Sequence, residues 1–193
     1  MSTALEITRW HVDLIDAAST FDGLVDAAAA WYDALVEAGH RGLVDGLGLS
    51  RPERCHARAD EASLAKLEQG LGCSLSPSLR RFYLEVGGVR WGSRLATLAL
   101  DEVASHVSDL RVVLTTFRRP PPELGPRPAE RRLVPFFTVD GNFDFVLRDV
   151  VASNGESPIY FVRHDEAVLV GPQPDALAWL KLKLLSLTDP IGA

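Results

Sequence analysis

Two short acidic segments carry the residue types that could bind a metal ion or move a proton. In the first, Asp140, Asn142 and Asp144 have the spacing of the first three ligands of a calcium loop. That loop also needs a glycine at its sixth position and a bidentate glutamate at its twelfth, where this chain has Phe145 and Val151. The sequence therefore favours a turn over a calcium site.

The second segment is His164-Asp165-Glu166, whose imidazole titrates near neutral pH and whose carboxylates could bind a cation. An Asp-Glu pair between two apolar strands also suits a solvated hairpin turn, which is the interpretation we favour. The chain lacks a phosphate-binding loop, a His-Glu-x-x-His helix and a Gly-x-Ser-x-Gly turn. The other histidines occur singly: His11, His40, His56 and His106. We predict no catalytic residue, no metal and no cofactor.

Both acidic segments are predicted to lie at the turns of β-hairpins. Residues 134–139 and 143–148 flank the turn Asp140-Gly141-Asn142, and residues 159–164 and 167–170 flank the turn at Asp165-Glu166. A buried strand is expected at residues 95–100, followed by a short helix that Asp101 caps. The leucine-rich residues 174–187 predict a last helix that packs on the sheet or at a subunit contact.

A pair of short helices between residues 61 and 88 is the clearest local pattern. Leu64, Leu67 and Leu71 recur at helical spacing, and Gly72 can end that helix in the left-handed conformation. Ser76 and Pro77 are typical of the start of a helix. The second helix has its own apolar face and ends at two glycines: Leu79, Phe82, Tyr83, Val86, Gly87 and Gly88.

This helix pair resembles the signature of the SUKH superfamily, which includes a fungal cell-wall assembly regulator and many bacterial toxin-immunity proteins. Its positions are held here by Glu68, Leu71, Gly72, Leu75, Pro77, Phe82, Gly87 and Gly88, with Ser76 inserted before the proline. Residues 133–144 resemble the family's next hairpin, and residues 158–165 resemble its "Pro-Val-Tyr" strand. The resemblance covers roughly residues 60–187.

The resemblance implies a non-enzymatic protein-binding domain, which we interpret as an immunity protein that neutralises a cognate bacterial toxin. Two alternatives stay open: an intracellular regulatory scaffold that binds signalling or cell-envelope proteins, and a small metal-dependent enzyme. We predict an α+β fold, with N-terminal helices followed by a mixed, mostly antiparallel sheet backed by helices. Residues 1–58 are expected to form a helical extension, and residues 59–193 the SUKH-like domain.

The uneven distribution of acidic residues along the chain suggests one surface for a protein partner. Residues 1–40 carry seven acids and one base, which equals the whole net charge of −6. A helix ending near Gly39 is expected there, with an apolar stripe and an acidic face that is either solvated or a docking surface for a basic protein. The candidate partner-binding residues are Asp22, Asp26, Asp33, Glu37, Trp91, Asp140 and Asp144, with Trp91 on a glycine-flanked loop.

The remaining features exclude other classes. Residues 117–132 are rich in proline and arginine, and we expect a mobile, solvated loop whose shortening leaves stability nearly unchanged. Because the whole chain is acidic, we predict no nucleic-acid partner. No apolar run would span a membrane, and the N-terminus does not resemble a secretory signal, so a cytoplasmic protein is expected. Cys55 and Cys73 should be reduced thiols.

Overall fold

A computed structural model describes residues 3–117, 122–139, 142–163 and 168–192 of the chain. Within them the predicted α+β class is confirmed. The α-helices are α1 (Ala4–Ala17), α2 (Phe21–Glu37), α3 (Arg41–Gly46), α4 (Glu61–Leu71), α5 (Pro77–Glu85), α6 (Val103–Thr115) and α7 (Ala176–Gly192). The strands are β1 (Glu53–Arg54), β2 (Val89–Trp91), β3 (Leu95–Ala96), β4 (Leu133–Val139), β5 (Asn142–Leu147), β6 (Ile159–Arg163) and β7 (Val168–Gln173).

The strands form two antiparallel sheets, ordered β1-β2-β3 and β4-β5-β6-β7. Both predicted hairpins are present in the larger sheet: β4 pairs with β5 out to Val139 opposite Asn142, and β6 pairs with β7 out to Arg163 opposite Val168. Their turn residues, Asp140, Gly141 and 164–167, lie outside the described residues. Helix α7 packs on one face of this sheet, and α6 packs near its other face.

The smaller sheet was not predicted. Its strands are two or three residues long and show no usable alternation, which is why the sequence pattern predicts a loop at Trp91. The strand expected at residues 95–100 is shorter, because the chain leaves β3 at Ala96 and makes a single bridge from Thr97 to Phe137. Asp101 does not cap α6, whose N-cap residue is Glu102.

The N-terminal helices belong to the main core. Helix α2 buries the apolar stripe predicted for it, and Gly39 follows its end with a positive φ. The Trp31 and Trp91 rings are 5.5 Å apart, and Phe21 meets Phe82 at 5.3 Å. The division between residues 58 and 59 remains a prediction from sequence, and buried side chains pack across it.

The two signature helices form as predicted. Gly72 ends α4 at φ 66°, and Pro77 opens α5 after Ser76. The Ser76 hydroxyl makes no capping bond. Glu156 performs that role instead, because its carboxylate accepts from the Ser78 N–H at 2.8 Å and from the Ser78 hydroxyl at 2.7 Å.

The expectation of a solvated loop at residues 117–132 is wrong for its described part. Leu124 is fully buried and Phe117 is nearly so, both in one hydrophobic cluster with Leu110 and Leu114 of α6. Pro128 is buried too and begins a short 3₁₀ helix, Pro128–Glu130. The segment is therefore anchored to the core by its few apolar residues. The expected mobility of Arg118, Arg119, Pro120 and Pro121 concerns residues outside the described ones.

We expect Leu124→Ala to lower the free energy of unfolding by about 2 to 5 kcal/mol, because it empties a fully buried site. The matched control is Val112→Ala on α6, where the valine is 65% exposed and the change should stay within about 0.5 kcal/mol. Urea unfolding measures both. Equal effects of the two substitutions would contradict the anchoring of this segment.

His11 is a buried histidine in an aromatic cluster. Its ring centroid lies 5.1 Å from that of Trp31 and 6.3 Å from that of Trp91. Burial lowers the pKa of His11 to about 4, and the backbone of Ala27 opposes this shift only in part, since neither ring nitrogen has a well-aligned hydrogen bond. His11 is therefore neutral in the folded protein at physiological pH.

This shift makes stability depend on pH. The unfolded chain binds a proton at His11 near pH 6.5, whereas the folded chain does so only near pH 4. Stability should therefore be complete above pH 6.5 and fall as the pH drops toward 4, by up to roughly 3 kcal/mol at about 1.4 kcal/mol per pKa unit. Urea unfolding of His11→Leu should show a shallower decline over this window. An identical slope in both proteins would contradict this role of His11.

Candidate functional site

An open groove of about 800 Å³ lies between α4, the chain at residues 55–59 and the start of α6. Its size is in the range of ligand-binding clefts. Leu67 and Leu100 contribute apolar surface. Short side chains keep the groove wide: Ala57, Ala59, Ser63, Gly70, Ala99 and Ala104.

The two glycines that end α5 fix the position of residues 55–59. The Cys55 N–H donates to the Gly88 carbonyl at 3.1 Å, and the Ala59 N–H donates to the Tyr83 carbonyl at 2.9 Å. A Cβ atom on Gly87 would lie 2.2 Å from the Ala57 carbonyl oxygen. Only glycine allows this crossing, because Gly87 also has a φ of 78°.

His56 lines the groove and is held by the chain beneath it. Its Nε2 atom lies 3.1 Å from the Thr97 carbonyl oxygen, which can only accept a hydrogen bond, so Nε2 is the donor. The Thr97 hydroxyl in turn accepts from the Val89 N–H at 2.8 Å. Burial raises the pKa of the neighbouring Cys55 thiol, which favours the protonated form over a nucleophilic thiolate.

The rim of the groove carries charges of both signs. Arg58 is committed to Asp22, whose carboxylate lies 2.8 Å from its guanidinium. Lys66 and Asp101 are exposed, and within the described residues neither forms an ion pair. These two charges are therefore available to a bound molecule.

The signature glutamate positions the loop between the two helices. Glu68 accepts from the Leu75 N–H at 2.9 Å through one carboxylate oxygen and from Arg80 at 2.9 Å through the other. Arg80 also contacts Glu61 at the start of α4. The two oxygens of the Glu68 carboxylate therefore accept a hydrogen bond from the loop at Leu75 and link α4 to α5 through Arg80.

The acidic residues predicted on α2 are mostly paired within the chain. Asp33 binds Arg51 at 2.9 Å, Asp26 binds Arg54 at 2.9 Å, and Asp22 binds both Arg54 and Arg58 at 2.8 Å. Glu37 is exposed near the end of α2. The arginines that pair with these aspartates come from residues 51–58, outside α2.

Trp91 is buried, which corrects the expectation that it lies on an exposed loop. It belongs to β2, and its neighbour Gly92 turns at φ 59° where a Cβ would lie 2.1 Å from the Gly48 carbonyl. Pairing of β2 with both β1 and β3 turns the indole inward, against Trp31 and His11. Trp91 therefore cannot anchor a partner in this structure.

Asp144 is also buried, on the face of the sheet that α7 covers. Lys183 of α7 places its ammonium 2.9 Å from one Asp144 oxygen, without the alignment of a good hydrogen bond. Burial raises the pKa of Asp144 to about 6, and Lys183 offsets part of that effect. The Asp144 carboxylate is thus a structural charge, and Asp140 lies outside the described residues.

Within the described ranges, no three His, Cys, Asp or Glu side chains are grouped so that they could hold a metal ion. His164, Asp165 and Glu166 lie outside those ranges. Cys55 and Cys73 form no disulfide in this structure. No described helix has the length and apolar character needed to cross a membrane.

The groove was missed by sequence reasoning because its lining comes from three separate segments. Each segment contributes alanine, glycine or serine, which carry no chemical signal on their own. The sequence does contain the Gly87-Gly88 pair, which lets residues 55–59 pass close to the end of α5 and so creates the groove.

Together the fold and the groove define an α+β domain built on a capped helix pair, with an open groove beside it. The chain belongs to the SMI1 / KNR4 family (SUKH-1), whose family model matches residues 58–179. The match confirms the predicted SUKH resemblance. Comparison with curated proteins and with solved structures finds no significant match.

Two glycines provide a direct test of the crossing. Gly87→Ala should lower the free energy of unfolding by about 3 kcal/mol or more, since it adds a backbone clash to the penalty for a positive φ. Gly72→Ala is the control, because its φ is 66° but no atom lies within 4 Å of the added Cβ. That change should cost only roughly 1 to 2 kcal/mol. Equal losses in urea unfolding would show that the crossing imposes no constraint of its own.

Proposed function

We propose that this protein is a non-enzymatic binding protein that neutralises a cognate bacterial toxin in the cytoplasm, with a segment of the toxin seated in the groove between α4 and α6. The groove is the observation that carries the proposal. Membership of the SMI1 / KNR4 family (SUKH-1) supports a SUKH-domain role, and the toxin is our inference beyond it.

The shape of the groove suits a protein segment. It is open, Leu67 and Leu100 are among its lining residues, and its short side chains leave room for bulky residues of a partner. Buried apolar anchors surrounded by polar contacts account for most of the affinity in protein interfaces. Lys66 and Asp101 would supply such polar contacts at the rim.

The frame around the groove is rigid, which favours tight binding without turnover. Glu68 and Arg80 hold α4 to α5, and the Gly88 carbonyl holds Cys55. A preorganised surface loses little conformational entropy when it binds. A toxin would be blocked for as long as the complex lasts.

Long-range attraction of a basic toxin remains part of the proposal. Because arginines neutralise Asp22, Asp26 and Asp33 locally, the attraction would come from the exposed acids Asp13, Asp16 and Glu37. Such charges act mainly on the association rate and are screened by salt over about 8 Å at physiological ionic strength.

The test is to block the groove with a single side chain. Gly70 lines the groove, and no atom lies within 4 Å of an added Cβ, so Gly70→Trp should fold normally. We expect it to weaken binding of the candidate toxin, taken as the product of the neighbouring gene, by at least about tenfold, or roughly 1.4 kcal/mol. Co-expressed toxin should then arrest growth, whereas wild type should protect.

Gly42→Trp on α3 is the matched control, since Gly42 is an exposed helical glycine with the same free space outside the groove. It should bind and protect like wild type. Full protection by Gly70→Trp would remove the groove from the proposal. Failure of wild type to bind the neighbouring gene product would argue against the immunity role itself.

A further inference from the structure

The free edge of the larger sheet has an uncovered apolar strip. In the part of the chain that the structure describes, β7 pairs with β6 and its other edge meets no strand. Val168 and Val170 are 40% and 47% exposed on this strand. Edge strands usually carry a charge or a proline that prevents pairing with another chain.

The register shows why α7 leaves these valines uncovered. Across the sheet, Asp144 stands opposite Phe161, and Phe161 stands opposite Val170, so all three side chains share one face. Lys183 of α7 lies 4.0 Å from the centre of the Phe161 ring. Helix α7 thus packs over Phe161 of β6, while Val168 and Val170 of β7 stay partly exposed.

The features that hinder pairing of β7 with another strand lie at one end of it. Pro172 lacks an N–H donor, and the register shifts between Ile159 and Phe161 on the neighbouring strand. The stretch from Val168 to Val170 has neither device and no charge.

We propose that β7 pairs with β7 of a second copy of this chain, in an antiparallel two-fold arrangement that joins two four-stranded sheets. A second copy is the occupant that fits, because the strip is apolar and uncharged while an antiparallel strand pair is complementary to itself. The valines of both copies would then cover one another. The paired stretch is short, so the dimer is weak and depends on concentration.

The experiment is sedimentation velocity of the full chain from micromolar to sub-millimolar concentration. A monomer–dimer equilibrium is expected, and Val170→Lys should raise its dissociation constant at least about tenfold, since it places a charge within the apolar paired stretch. Val112→Lys is the matched control, because Val112 is an exposed valine on α6, away from this edge. It should dimerise like wild type.

Circular dichroism checks that each variant is folded, and Val168→Lys replaces Val170→Lys if the latter unfolds. Hydrogen exchange gives an independent measurement: the amides of residues 168–170 should become more protected as concentration rises. A wild-type chain that stays monomeric throughout, or a dimer that Val170→Lys and Val168→Lys leave intact, would overturn the proposal. Protection of these amides by a bound toxin in a monomeric chain would assign the edge to the toxin instead.

Discussion

The close passage of residues 55–57 over Gly87 and Gly88 is the constraint on which the rest of the structure depends. A Cβ at Gly88 would lie 2.3 Å from the His56 ring, and one at Gly87 would overlap the Ala57 carbonyl. The same passage pairs β1 with β2, which turns Trp91 toward Trp31. It also brings residues 55–59 beside α4, so the groove and the contact with the N-terminal helices have one cause.

The acidic excess of the N-terminal segment has a structural use. Three aspartates of α2 bind arginines of residues 51–58, the segment that leads into the crossing. Exposed ion pairs of this kind each contribute at most about 1 kcal/mol, so they orient α2 against β1 more than they stabilise it. The acidic charge is therefore partly neutralised by ion pairs within the chain, which a count of charges along the sequence does not reveal.

Features that depend on residues close together in the sequence were predicted correctly. Caps at Gly72 and Pro77 and both hairpins of the larger sheet were predictable, because their signals lie within a few residues of the element. The missed features depend on distant partners. Glu156 caps α5 across 78 positions, Leu124 is buried by α6, and β1 to β3 are too short to show a period. The groove was missed for the same reason, since separate segments line it.

The part of the chain that matches the family depends on residues outside the match. The family model ends at residue 179 within α7, yet the buried Asp144 carboxylate is paired with Lys183, four residues further on. Lys181 also donates to the Asp16 carbonyl of α1 at 2.9 Å, which ties α7 to the N-terminal helices. A buried charge that loses its partner is strongly destabilising, and Trp91 would lose its cover without α2. The limits of the family match are therefore not the limits of the folding unit, because its buried groups are completed from both sides of the match.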